Sequence, residues 1–199
     1  MSTPAPSLPS RPGPYTVEEY FRLVEDGVLG PDDRVELLEG VIVPMPPANP
    51  PHANAVSILM QRLILAVGGR AIVRGQSTYV ASLRSAPEPD VAVVTGSSDD
   101  YWKRHPNAAL LVVEVADTSL ATDRLTKAAL YARNEVPEYW IVNLRHGRVE
   151  VYRRPDAAAG LYRDIRVAAE DETLSLVALP DVAIAVADLL PGRPADDDV

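Results

Sequence analysis

The chain has 199 residues, no cysteine and a formal net charge of −9. That length suits one medium domain, and a hydrophobic content of 47% is enough to build its core. The composition excludes a disulfide framework and a thiolate metal site, and the acidic balance argues against indiscriminate coating of phosphate polymers.

In chain order, "MSTPAPSLPSRPGPY" has neither the basic start nor the apolar stretch of a signal peptide, and no later window is long and apolar enough to span a bilayer. A cytoplasmic protein without membrane contact is expected. Residues 1–14, rich in Pro and Ser, and the acidic end 191–199 read as disordered tails around one domain, 15–190. That domain holds 17 basic residues against 25 acidic ones, so any nucleic-acid contact has to be local.

Thr16 and Glu19 fit a capping box ahead of a helix with an apolar stripe of Tyr20, Phe21 and Val24, closed by Gly27. "RVELLEGVIVPM" reads as two strands bent at Gly40, or as one kinked strand. A second helix starts near Pro51 and carries Val56, Leu59, Met60, Leu63 and Val67 at helical spacing. "AIVRGQSTYVASL", "PDVAVVT" and "AALLVVEVAD" read as consecutive strands of one sheet. Residues 122–134 return to helical spacing, after which "EYWIVNL", "RVEVYRR" and "LYRDIRVA" form a meander with "RHG" at a hairpin turn. Two short apolar runs, "LSLVAL" and "VAIAVADLL", finish the core. The order implies an α/β fold, a mixed sheet flanked by helices.

Glu114 sits inside the apolar run from Leu110 to Val115. Either it points to a solvated face, or it is buried and needs a cation, a metal or several donors. Asp90 begins another apolar strand after Pro89. It is either a turn residue or the second acid of a hard-cation site such as Mg²⁺ prefers. Asp123 and Lys127, four apart, could be an ordinary exposed helix pair. Lysine is rare here, however, with two against 17 arginines, and a compact ammonium approaches a water or a phosphate oxygen as a point charge. Glu36 and Glu39 could both be exposed, and His52 could be a helix cap. With only His52, His105 and His146 in the chain, a multi-histidine zinc site lacks ligands. Walker, dinucleotide-fingerprint, GxSxG and HExxH motifs are all absent.

"YTVEEYFRLVEDG", "RVELLEGVIVPM", "PEPDVAVV" and "LLVVEVADTSLATDRLTKAALYARNEVPEYWIVN" together resemble the Uma-type restriction endonuclease family of the PD-(D/E)XK nuclease superfamily, from about Tyr15 to Leu190. The resemblance implies a restriction-endonuclease-like mixed β-sheet flanked by helices, with a C-terminal β-meander. It implies Mg²⁺ or Mn²⁺ held by Asp90 and Glu114, with the backbone carbonyl of Val115 as a further ligand. The superfamily's usual lysine position is Ala116 here, so Lys127 supplies the cation from the helix. Glu39 matches an early acid of the site and Asp123 a recurrent helix acid, and His52 stands beside them as a supporting candidate. The implied activity is metal-dependent hydrolysis of DNA phosphodiester bonds. The rival reading is a non-catalytic interaction or regulatory module that keeps the nuclease fold. Arg62, Arg70, Arg74, Arg84, Lys103 and Arg104 are the basic residues available for a local DNA footprint. An apolar edge at "EYWIV" is compatible with a homodimer.

Overall fold

A computed structural model describes residues 14–30 and 32–190, and apart from Pro14 both expected tails lie outside that range. Helix α1 (Val17–Glu25) opens with the expected capping box: Glu19 N–H donates to Thr16 Oγ1 at 3.1 Å and Thr16 N–H donates to Glu19 Oε2 at 2.9 Å. Tyr20 is buried, but Val24 is exposed, because it lines an open cleft beside Phe21 and not the hairpin below. That hairpin is β1 (Val35–Leu38) paired antiparallel with β2 (Val41–Pro44). Glu39 (φ 50°) and Gly40 (φ 84°) make its two-residue turn, both in the left-handed region that suits strand twist.

Helix α2 (Pro50–Val67) is capped by Asn49, whose side chain accepts the His52 N–H, and ends at Gly68 in left-handed geometry. A six-stranded sheet then runs in the order β3-β4-β5-β6-β7-β8: β3 (Ile72–Gly75), β4 (Val91–Val94), β5 (Leu111–Ala116), β6 (Glu138–Asn143), β7 (Arg148–Asp156) and β8 (Leu161–Ala168). Every neighbouring pair is antiparallel except β5 with β6. Their parallel pairing needs a crossover, supplied by the helical stretch 120–133. Only Ile72–Gly75 of "AIVRGQSTYVASL" is strand; the remainder leaves the sheet.

Both faces of the sheet are covered, which is why its central strands are near-continuous apolar runs. One face packs Leu111, Val113 and Val115 against Leu59 and Leu63 of α2. The short hairpin of β9 (Thr173–Ser175) and β10 (Ala183–Ala185) joins the same core through Leu174 and Ile184. The opposite face packs Val112, Ala116, Tyr139 and Ile141 under Leu130 and Tyr131. "EYWIV" is not an edge: β6 lies between β5 and β7 and is buried along its whole length. No helix among the described residues is long and apolar enough to cross a membrane.

Candidate active site

Strand alternation decides where Glu114 points. Leu111, Val113 and Val115 face α2, so Val112, Glu114 and Ala116 face the opposite core. Glu114 is 3% exposed, and its Oε1 accepts hydrogen bonds from Lys127 Nζ at 3.0 Å and from Tyr131 OH at 2.8 Å. Lys127, 8% exposed, also places Nζ 3.6 Å from Glu36 Oε1. The other oxygen of Glu36 accepts the Glu88 N–H at 3.1 Å, which ties β1 to the segment leading into β4.

Asp90 ends that segment. The strand pairing of β4 with β5 stops at Val91 opposite Val113, and the Asp90 carboxylate takes the place of the next strand residue by accepting the Val115 N–H at 2.8 Å. His52, in the first turn of α2, brings Nε2 to 3.1 Å from the same Asp90 oxygen, while its Nδ1 is buried without a hydrogen-bond partner. Asp123 is buried and accepts the Ser119 hydroxyl at 2.6 Å. Asp90, Glu114, Lys127, Asp123 and His52 are thus drawn together. Glu39 is not: it is exposed in the hairpin turn and paired with Arg133, and Glu36 occupies the cluster instead. The two are three residues apart, but Glu36 shares a strand face with buried Leu38, whereas Glu39 belongs to the turn.

Acids outnumber cations here. Burial, reinforced by Asp90, Asp123 and Glu36 and opposed by Lys127, pushes the Glu114 carboxyl up to about 8. Burial likewise pushes Asp123 up to about 6, against the Ser119 hydrogen bond and Lys127. For Lys127 burial acts against the charge, but Glu114, Glu36 and Asp123 outweigh it and hold the ammonium above its ordinary pKa. The Asp90 hydrogen bond, opposed by partial burial, raises His52.

The family model Uma2, "Putative restriction endonuclease", matches residues 17–187. The chain belongs to the Uma2 family. Its fold is similar to the crystal structure of a "putative nuclease belonging to DUF820" from Anabaena variabilis, with a TM-score of 0.69 at 17% identity, over 88% of this chain and 97% of that one. Comparison with curated protein sequences finds no match.

In this Uma2 chain the helix that carries Lys127 is locally widened. It comprises α3 (Leu120–Thr122), one π-helical turn (Asp123–Lys127) and α4 (Ala128–Arg133). The Ala128 N–H reaches back five residues to the Asp123 carbonyl, which also accepts Tyr139 OH at 3.2 Å. A hydroxyl from β6 thereby enters the helical ladder, a recognised cause of such widening. The turn leaves both Asp123 and Lys127 buried, facing the acids. Arg124, the next residue, leaves the cluster and forks onto Glu150 of β7, with Nε 2.8 Å from Oε2 and Nη2 2.5 Å from Oε1. Glu36, Tyr131 and Arg124 are the residues that sequence reasoning passed over. Glu36 carries the same signal as Glu114, an acid amid buried apolar neighbours, but the other two roles depend on contacts between distant segments.

The donor set suits a hard dication in chemistry: oxygen ligands, excess negative charge and no sulfur. Among the described residues no three His, Asp or Glu side chains form a ready-made metal cage. Mg²⁺ is commonly held by one or two carboxylates together with waters and phosphate oxygens, and Asp90 and Glu114 are two carboxylates from neighbouring segments of the sheet. The expected basic cluster disperses, since Arg62 pairs with Asp188 and Arg70 with Asp181.

Proposed function

We propose that this protein is a metal-dependent endonuclease that hydrolyses DNA phosphodiester bonds, with Asp90 and Glu114 holding Mg²⁺ or Mn²⁺. The observation that carries the reading is the buried meeting of Glu36, Glu114 and Asp123 around the ammonium of Lys127, with Asp90 as a further acidic neighbour of Glu114. Family membership and the nuclease described for the Anabaena structure support it. So does energetics: acids in such excess are costly in a merely structural core, and a bound cation relieves that cost.

Bound metal would supply Lewis acidity and charge neutralisation at the scissile phosphate. The chain's own residues do the rest. Tyr131 and Lys127 fix the Glu114 carboxylate, and the Val115 amide with His52 fixes that of Asp90. Lys127, kept charged by its acidic neighbours, orients the attacking water or offsets the charge that builds on the phosphate in the transition state. The Val115 carbonyl, in the residue whose amide holds Asp90, would be the third ligand.

The test is incubation of supercoiled, linear and single-stranded DNA with Mg²⁺ and with Mn²⁺, comparing wild type with Glu114→Ala and Lys127→Ala. Divalent-dependent cleavage by the wild type, lost in both variants while their circular dichroism is kept, is the expected result. Equal cleavage by Glu114→Ala would remove the assignment. Absence of cleavage in the wild type on every substrate would favour the interaction-module reading.

A further inference from the structure

The two tryptophans of this chain have opposite surroundings. Trp140 is wholly buried in the sheet, whereas Trp102 is 85% exposed. One exposed apolar side chain is ordinary on a protein surface, but this bare indole stands directly before two cations. Trp102 is followed by Lys103, Arg104 and His105, all exposed, and this segment faces α1 across an open cleft of about 610 Å³. That size falls within the range of ligand sites, roughly 300–1,000 Å³. The cleft is lined by Phe21, Val24 and His105 with Lys103, Arg104 and Glu25. The Phe21 and His105 rings stack at 5.0 Å and 17°, which ties the segment to α1 where the two sides of the cleft meet.

Its charges are available. Arg62, Arg70, Arg124 and Arg133 are taken up by carboxylates. Lys103 and Arg104 form no ion pair among the described residues, and Arg104 Nε donates only to the Asp100 carbonyl at 3.0 Å. The nearby Asp100 carboxylate is occupied as a cap, accepting Ser97 N–H at 2.7 Å and Ser97 Oγ at 2.9 Å. Beside it Arg74 lies over the Tyr101 ring at 5.6 Å, with a buried Nε that has no hydrogen-bond partner.

We infer that this cleft and the Trp102 platform bind an unpaired stretch of nucleic acid, the indole stacking on a base and Lys103 and Arg104 meeting its phosphates. The choice of nucleic acid rests on the nuclease reading above together with two cations, Lys103 and Arg104, that no carboxylate pairs among the described residues, although Glu25 shares the cleft and Asp99 and Asp100 lie close by. Single-stranded character follows from the indole: a duplex uses its base faces in its own stacking, whereas an unpaired base offers one to an aromatic ring.

The test is titration of the full-length protein in EDTA with a fluorescein-labelled single-stranded oligonucleotide and with its duplex. Binding is read by anisotropy and by quenching of tryptophan emission, to which buried Trp140 contributes little change. Preferential binding of the single strand is expected, with the Kd raised about tenfold in Trp102→Ala. The slope of log K against log salt should fall by roughly 1.4 in the Lys103→Ala/Arg104→Ala double variant, about 0.7 for each phosphate contact. All three side chains are exposed, so truncation leaves the core intact. No single-strand binding, affinity unchanged in both variants, or a dimer in sedimentation that Trp102→Ala dissociates would each overturn the inference. Cleavage that needs Glu114 but ignores Trp102, Lys103 and Arg104 would remove this surface and keep the nuclease reading. Oligonucleotide binding at Trp102 by a wild type that cleaves nothing would do the reverse.

Discussion

Two buried glutamates on the same sheet have opposite settings. Glu150 on β7 receives a fork from Arg124, a hydrogen bond from Asn143 Nδ2 at 3.1 Å and another from Tyr152 OH at 3.3 Å. Burial alone would raise its pKa, but these donors, Arg124 first, outweigh it and hold the carboxyl below its ordinary value. Glu114 on β5 has one lysine and one tyrosine, shares that lysine with Glu36, and has Asp90 and Asp123 as further acidic neighbours. The first group is satisfied and the second is in surplus. A balanced pair fastens a helix to a sheet, whereas surplus negative charge prepares a place for a cation. The two meet in one helical turn, since Arg124 and Lys127 both belong to the widened turn Asp123–Lys127.

The contrast is broken most severely by Glu114→Gln in an activity assay. The amide keeps the shape and can still accept from Tyr131, but it lacks the charge a dication needs. Cleavage should fall by about a thousandfold or more, on the order of 4 kcal/mol of transition-state stabilisation. Glu150→Gln should leave turnover within about tenfold, since Glu150 lies outside the acidic cluster. Similar losses at both positions would mean that the two settings do not differ in function.

Next in size is the response to metal without substrate. A dication that binds the folded chain alone stabilises it by about 2.7 kcal/mol at a hundredfold excess over Kd. The melting temperature should therefore rise with Mn²⁺ in wild type and in Glu150→Gln, and stay flat in Asp90→Ala and Glu114→Gln. A rise that survives in Asp90→Ala would place the metal elsewhere.

How much of this could be read from residues alone follows from the range of the interactions involved. Glu114 was legible because an acid amid five apolar strand positions breaks a local pattern, and Lys127 because lysine is rare in an arginine-rich chain. The capping box at Thr16 and the turn at Gly40 are likewise local chemistry. Glu36 was equally local, but strand parity had to be applied to a four-residue strand beside a turn that offered Glu39 as a competing acid. The widened turn was not legible, because it is set by a hydroxyl sixteen residues away, Tyr139. Nor was the central place of β6: its apolar run suits a covered strand and an edge alike, and only pairing on both sides decides between them. The dispersal of Arg62 and Arg70 follows from acids near the C-terminus, Asp188 and Asp181, that are distant in sequence.

Stability without metal sharpens the comparison further. Glu150→Gln leaves the Arg124 fork without its anion and should cost about 2 kcal/mol at neutral pH, the range for hydrogen bonds to charged groups. Its folded pKa is depressed, so its contribution is complete above the ordinary glutamate value and is lost as pH falls through the folded value. The deficit of the variant relative to wild type should accordingly shrink below about pH 4.5. Urea melts at pH 7 and pH 3.5 check this, and a deficit independent of pH would mean that Glu150 acts through packing alone.

The smallest effect has the opposite sign. At Glu114, whose carboxyl burial and three neighbouring acids push up to about 8, the glutamine variant removes a group that is crowded when charged and must take up a proton to fold at neutral pH, while Lys127 keeps Glu36 as a partner. Relief of that crowding should stabilise the metal-free protein by about 1 kcal/mol, or roughly 2–4 °C in melting temperature for a domain of this size. Thermal melts in EDTA of wild type, Glu114→Gln and Glu150→Gln should thus separate in both directions around the wild type. A lower melting temperature for Glu114→Gln would show that the lysine compensates its acids as fully as Arg124 compensates Glu150. The surplus of charge at Glu114 would then be only apparent, and the physical ground for a cation at this site would be lost with it.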